Sequence, residues 1–102
     1  MSKRYLLVKV ISENPPSREQ FGNAVIDSVR RNFGEIGLSR IDPKLVRFDL
    51  DRSRAIVACR RGGETELQAA MALISESSGT SFVALVLRVS GTIKALGKSK
   101  QR

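Results

Sequence analysis

Histidine and tryptophan are absent from this sequence, cysteine and tyrosine occur once each, and 10 carboxylates face 18 lysines and arginines. Each shortage closes a class of chemistry. Without an imidazole there is no base of the usual kind beside a serine or cysteine nucleophile, so catalytic triads are excluded. The common zinc sets lose their nitrogen ligands for the same reason. The single Cys59 cannot close an internal disulfide, and its place in an apolar run assigns it to packing. No stretch approaches the ~20 apolar residues of a membrane span. Met1-Ser2-Lys3-Arg4 leads straight into a strand-like segment with no signal-peptide core, which makes a cytoplasmic location the expectation.

The carboxylates also run out along the chain. None follows Glu76, whereas Arg88, Lys94, Lys98, Lys100 and Arg102 do. A formal charge of +8 and a pI near 10.6 ask for a partner, and nucleic acid is the commonest one. A solvated basic tail gives the same pattern over the last few residues.

A chain of 102 residues has room for one core. A domain of this size buries roughly 60–70% of its unfolded surface, enough for one sheet and a layer of helices. Arg4 to Ser12 is nearly continuous in apolar and β-branched residues and reads as a strand, stopped by Asn14-Pro15-Pro16. Ser17 and Gln20 have capping-box spacing, and Phe21, Ala24, Val25, Ser28 and Val29 share one helical face. Gly34 ends that helix after Phe33, and a loop through Gly37 leads to Asp42-Pro43. Residues 45–50 and 54–60 form a hairpin. Leu67, Ala70, Met71 and Ile74 have helical spacing between Gly62-Gly63 and Gly79, and Phe82 to Ser90 makes a last strand.

The order β-α-β-β-α-β predicts an α/β (α+β) fold of the split βαβ, ferredoxin-like kind: an antiparallel sheet with helices on one face. Residues 1–96 form the single domain and 97–102 a short basic tail. If Leu6, Val8, Val10, Val83, Leu85, Leu87 and Val89 face the helices, the other face carries Tyr5, Leu7, Lys9, Ile11, Arg47, Phe82, Val86 and Arg88. Apolar groups flanked by cations suggest a docking surface, with Tyr5, Leu7, Phe82 and Val86 as its partner-facing residues. Coverage by the chain's own termini or loops is the other explanation.

Motifs for chemistry are few. Asp49 and Asp51 alternate as metal-binding pairs do, but nearby Arg47 and Arg54 favour ion pairing around the hairpin. Gly97-Lys98-Ser99 resembles the end of a nucleotide-binding loop, yet Thr92 stands where that motif needs glycine. No catalytic or metal-ligating residue is predicted. Arg60-Arg61-Gly62-Gly63 places two cations at a helix start, where free N–H groups favour a phosphate. A plain strand-to-helix connection has the same pattern. Ala55 to Arg61 offers no aromatic on which bases stack, so backbone or shape contacts are expected rather than base reading.

Arg4-Tyr5-Leu6, Leu45-Val46-Arg47-Phe48-Asp49, Ala55-Ile56-Val57-Ala58-Cys59-Arg60 and Val89-Ser90-Gly91-Thr92-Ile93-Lys94 resemble, in order and spacing, the archaeal ribonuclease P protein component 2 family. Its eukaryotic counterpart is shared by ribonucleases P and MRP. The similarity spans nearly the whole chain, and Ser-Gly-Thr-Ile-Lys is its most specific piece. It departs at Ala58, where relatives often carry arginine, and in its basic extension beyond Leu96, shorter here than in many relatives.

The resemblance implies a subunit of the endonuclease that removes the 5′ leader from precursor tRNA. Ribonuclease P RNA and its magnesium carry the reaction there, and the protein holds no cofactor. It further implies a barrel-shaped partner, ribonuclease P protein component 3, and a homodimer contact that joins two such pairs into a heterotetramer. Arg60, Arg61, Arg88, Lys94, Lys98, Lys100 and Arg102 are the RNA-binding candidates. Two other classes share the topology. A ligand-sensing regulatory domain has no use for so many cations. An acyl-phosphate hydrolase needs an asparagine to orient water, whereas Asn14 lies beside Pro15 and Asn23 and Asn32 fall within a helix.

Overall fold

The computed structural model describes residues 2–74 and 82–99. Strand β1 (Lys3–Ile11) is followed by helix α1 (Arg18–Ile41), strands β2 (Lys44–Asp49) and β3 (Arg54–Arg60), helix α2 (Glu64–Ala72), strand β4 (Val83–Ser90) and helix α3 (Ile93–Ser99). The sheet order is β2-β3-β1-β4 with every neighbouring pair antiparallel, the ferredoxin-like α+β arrangement.

Helix α1 starts where the capping box requires. The Gln20 amide donates to Ser17 Oγ at 3.1 Å, and the Ser17 amide donates to Gln20 Oε1 at 2.8 Å, so two of the helix's free donors are satisfied. Its buried face is Phe21, Ala24, Val25, Ser28 and Val29, as the spacing predicts. Gly34 does interrupt it, with φ 74°, but the chain resumes a helix as far as Ile41 instead of the expected loop. Gly37 explains why. A Cβ there would lie 2.5 Å from that of Phe33, so the resumed helix approaches the first segment too closely for any larger residue. Asp42, with φ 51°, closes the element by donating its amide to the Leu38 carbonyl at 2.8 Å, and Pro43 follows.

Helices α1 and α2 cover one face of the sheet. Between them and the strands lie Leu6, Val8, Val10, Phe21, Val57, Leu67 and Met71. The Phe21 ring stands 5.6 Å from those of both Phe48 and Phe82, and Ser28 Oγ donates to the Ala70 carbonyl at 2.6 Å, tying α1 to α2.

The first part of strand β4, as far as Val86, faces the opposite way from the sequence expectation, whereas beyond the register shift Val89 lies opposite the core residue Leu6 and Arg88 opposite Leu7, as expected. Phe82, Ala84 and Val86 pack against the helical core, and Val83, Leu85 and Leu87 are exposed. Both alternating sets are apolar, so periodicity alone does not choose between them. Pairing with β1 does, since Val86 lies opposite the core residue Val8 and Ala84 opposite Val10. Helix α3 is the second difference. It packs on the other face of the sheet, with Ile93 and Leu96 against Tyr5, Leu7 and Ile56.

Candidate nucleic-acid and partner interface

Residues paired across antiparallel strands share a face, so the register maps the side of the sheet away from α1 and α2. One row runs Lys44, Ala58, Tyr5, Ser90 from β2 to β4. The next runs Arg47, Ile56, Leu7, Arg88, and a third Asp49, Arg54, Lys9, Leu85. Helix α3 sits on the first two rows, where Leu96 is fully buried and Leu7 and Ala58 are nearly so.

The β4–α3 junction is built by the segment that is the most specific piece of the family resemblance. Gly91 leaves room for the Arg4 guanidinium, whose Nη1 would lie 3.2 Å from a Cβ there. Arg4 Nε is in turn 3.4 Å from Glu64 Oε2. Thr92 caps α3, accepting from the Ala95 amide at 3.2 Å, while its own amide donates to Ser90 Oγ at 3.1 Å. Ile93 packs on the sheet and Lys94 is exposed. A threonine followed by apolar residues at one and four positions on was the readable signal of this helix, hidden because the segment also reads as a strand ending.

Of the predicted partner-facing residues, Tyr5 and Leu7 lie beneath α3, and Phe82 and Val86 point into the helical core. Exposed apolar groups gather instead along edge strand β4, at Val83, Leu85 and Leu87, with Ile11 of β1 opposite Val83. The start of α2 differs from a free anion cradle. The Gly62 amide donates to Glu64 Oε1 at 2.6 Å and the Gly63 amide to the Arg60 carbonyl at 3.0 Å. Arg60 Nε lies 3.8 Å from Asp42 Oδ2, while Arg61 is exposed with no ion pair among the described residues. Lys98 lies on α3 with its side chain outside the described part, and Lys100 and Arg102 lie outside the described residues.

The hairpin carboxylate Asp49 pairs with Arg52, which it meets through both the Arg52 amide (3.2 Å) and Nε (3.8 Å). Arg47 and Arg54, its expected partners, make no ion pair with it. No cluster suited to a metal ion occurs among the described residues, and no helix among them is long and apolar enough to cross a membrane. Burial pushes the Cys59 thiol up to about 11, helped by the charge of Glu64 and opposed by Arg4, so the group stays protonated and inert at neutral pH.

Fold and surface together define a small ferredoxin-like domain whose open sheet face is cationic and whose β4 edge is apolar. The profile of the Rpp14/Pop5 family matches residues 4–100. Ribonuclease P protein component 2 of Pyrococcus furiosus is 35% identical over 94 residues, covering 92% of this chain and 78% of the relative. The protein of the same name from Methanothermobacter thermautotrophicus is 34% identical, with 91% and 80% covered. A chain in the cryo-EM structure of yeast ribonuclease MRP superposes with a TM-score of 0.72 at 10% identity, covering 98% of this chain and 92% of that one, a likeness of fold. The chain belongs to the Rpp14/Pop5 family.

Proposed function

We propose that this chain is a protein subunit of ribonuclease P, supporting the catalytic RNA as the complex removes the 5′ leader from precursor tRNA. The observation that carries the reading is the family match across residues 4–100, joined by 35% identity to a ribonuclease P protein component 2 over nearly the whole chain. The chemistry is assigned to the RNA and its magnesium. The sequence has no histidine, and its one thiol is buried and held protonated.

Its partners in this reading are ribonuclease P RNA, precursor tRNA through the complex, and the barrel-shaped component 3, with a homodimer contact of the chain joining two such protein pairs into a heterotetramer in the cytoplasm. The apolar β4 edge supports a protein neighbour, because an exposed row of Val83, Leu85 and Leu87 on an edge strand invites pairing. Arg61, Arg88 and Lys94, exposed and without ion pairs among the described residues, remain as RNA contacts.

Reconstituted precursor-tRNA cleavage tests the proposal. With purified RNA and proteins at limiting magnesium, leaving out this chain is expected to slow cleavage several-fold. An unchanged rate sinks the reading.

A further inference from the structure

Two β-bulges set the composition of the open sheet face. In β2 the register slips between Leu45 and Arg47, leaving Val46 without a partner, and in β4 it slips between Val86 and Arg88, leaving Leu87 unpartnered. Each slip turns the following arginine onto the open face, Arg47 opposite Ile56 and Arg88 opposite Leu7. Bulges cost pairing and are kept where they re-aim a side chain. Between those arginines and one row further on, Lys9 and Arg54 stand directly opposite each other on the two central strands. Like charges in that relation destabilise a sheet unless an anion lies between them.

The four strands contain one carboxylate, Asp49, which stands opposite Arg54 but, among the described residues, makes its ion pair with Arg52. Arg4, Arg30, Arg40, Arg52 and Arg60 all have ion-pair partners, whereas Lys9, Arg47, Arg54 and Arg88 have none among the described residues. Three strand spacings separate Arg47 from Arg88, roughly 14 Å of sheet. Lys9, Arg47 and Arg88 are exposed and Arg54 is half-buried.

The geometry points to a phosphate strip along the border of α3, made of the row of Lys9 and Arg54 and the two exposed ends of the row beside it: Lys9, Arg47, Arg54 and Arg88 grip the sugar–phosphate backbone of an RNA strand laid across the sheet. The inference rests on the ribonuclease P reading and adds where the backbone lies. Charge complementarity selects the occupant, since a strip with four unpaired cations fits a chain of phosphates. Tyr5, the sole tyrosine, is packed under α3, so bases are not stacked there and binding is sequence-tolerant.

The test measures affinity of the full chain for the cognate ribonuclease P RNA, and for a mixed-sequence single-stranded RNA, across a salt series. Changing Lys9, Arg47, Arg54 and Arg88 together to alanine is expected to weaken binding at least about tenfold and to flatten the log–log salt slope by about three. The charge-keeping variants Lys9→Arg and Arg54→Lys retain both, as does Arg31→Ala on α1. Far-UV circular dichroism checks the quadruple variant; should it be unfolded, the pair Lys9→Ala and Arg88→Ala is read instead, with about half the change in slope. An unchanged slope overturns the strip, as does an equal loss in Arg31→Ala. Loss of component 3 binding with the RNA slope intact also overturns it, assigning the face to an acidic protein surface. A flattened slope with cleavage indifferent to the chain sinks the ribonuclease P reading alone, and an intact slope with stimulated cleavage sinks the strip alone.

Discussion

Cys59 shows how one buried group couples to pH. Its protonated form is favoured in the folded chain, where burial raises the thiol from an ordinary 9.0 to about 11. Below pH 9 both states hold the proton and the contribution to stability is complete. Between 9 and 11 the unfolded chain releases it first, so stability falls as pH rises through the folded value. The urea midpoint of the native protein is therefore expected to drop more steeply over that interval than the midpoint of Cys59→Ala, by at most about 1.4 kcal/mol per pH unit. Parallel curves for the two proteins would exclude the effect. The role of this residue was legible in sequence, since an apolar run around a lone cysteine signals packing. Gly91 was less legible. Its close approach to Arg4 joins residues 87 positions apart in the chain, and no local pattern encodes that contact.

Helix α3 is a seven-residue element whose hold on the sheet rests on Leu96 and Ile93. A helix that short is not stable by itself in water, so its docking supplies its order. Replacing a fully buried leucine by alanine costs about 2–5 kcal/mol in a rigid core, more than a peripheral helix has to lose. Leu96→Ala is accordingly expected to release α3 while α1, α2 and the strands persist. Tyr5 reports the event, because it is the sole tyrosine, no tryptophan masks its emission, and α3 packs on it. Its fluorescence should shift towards that of a solvated tyrosine with little change in amide protection of β1 and β3. A lowered global midpoint with unchanged emission would place Leu96 in the main core instead. In α1 the capping box and buried face were readable from Ser17 to Phe33, whereas the helical turn after Gly34 was not. Glycine signals a stop in sequence, and only the packing of Gly37 on Phe33 shows the chain continuing as a helix.

For the whole molecule, a net charge of +8 with cations on one face that have no ion-pair partner among the described residues leaves the folded chain self-repelling and ready to be stabilised by a polyanion. A ligand that binds only the folded state at a hundredfold its Kd adds about 2.7 kcal/mol. In a domain of this length that corresponds to a rise in Tm of roughly ten degrees or more. Cognate RNA is expected to raise Tm by that amount at low salt and by much less at high salt, as a thermal melt would show. A salt-independent shift would point to protein-like docking. The sequence by itself determined the order of the first six elements, the ferredoxin-like plan, the helix-facing residues of β1 and α1, the cationic excess and the family, because these follow from local periodicity, composition and motif order. Tertiary structure decided which residues of β4 are buried, that α3 folds back over Tyr5, and which cations stand together. Those depend on register and bulges, where a slip of one residue turns a strand over, and register is set by pairing between strands far apart in the chain.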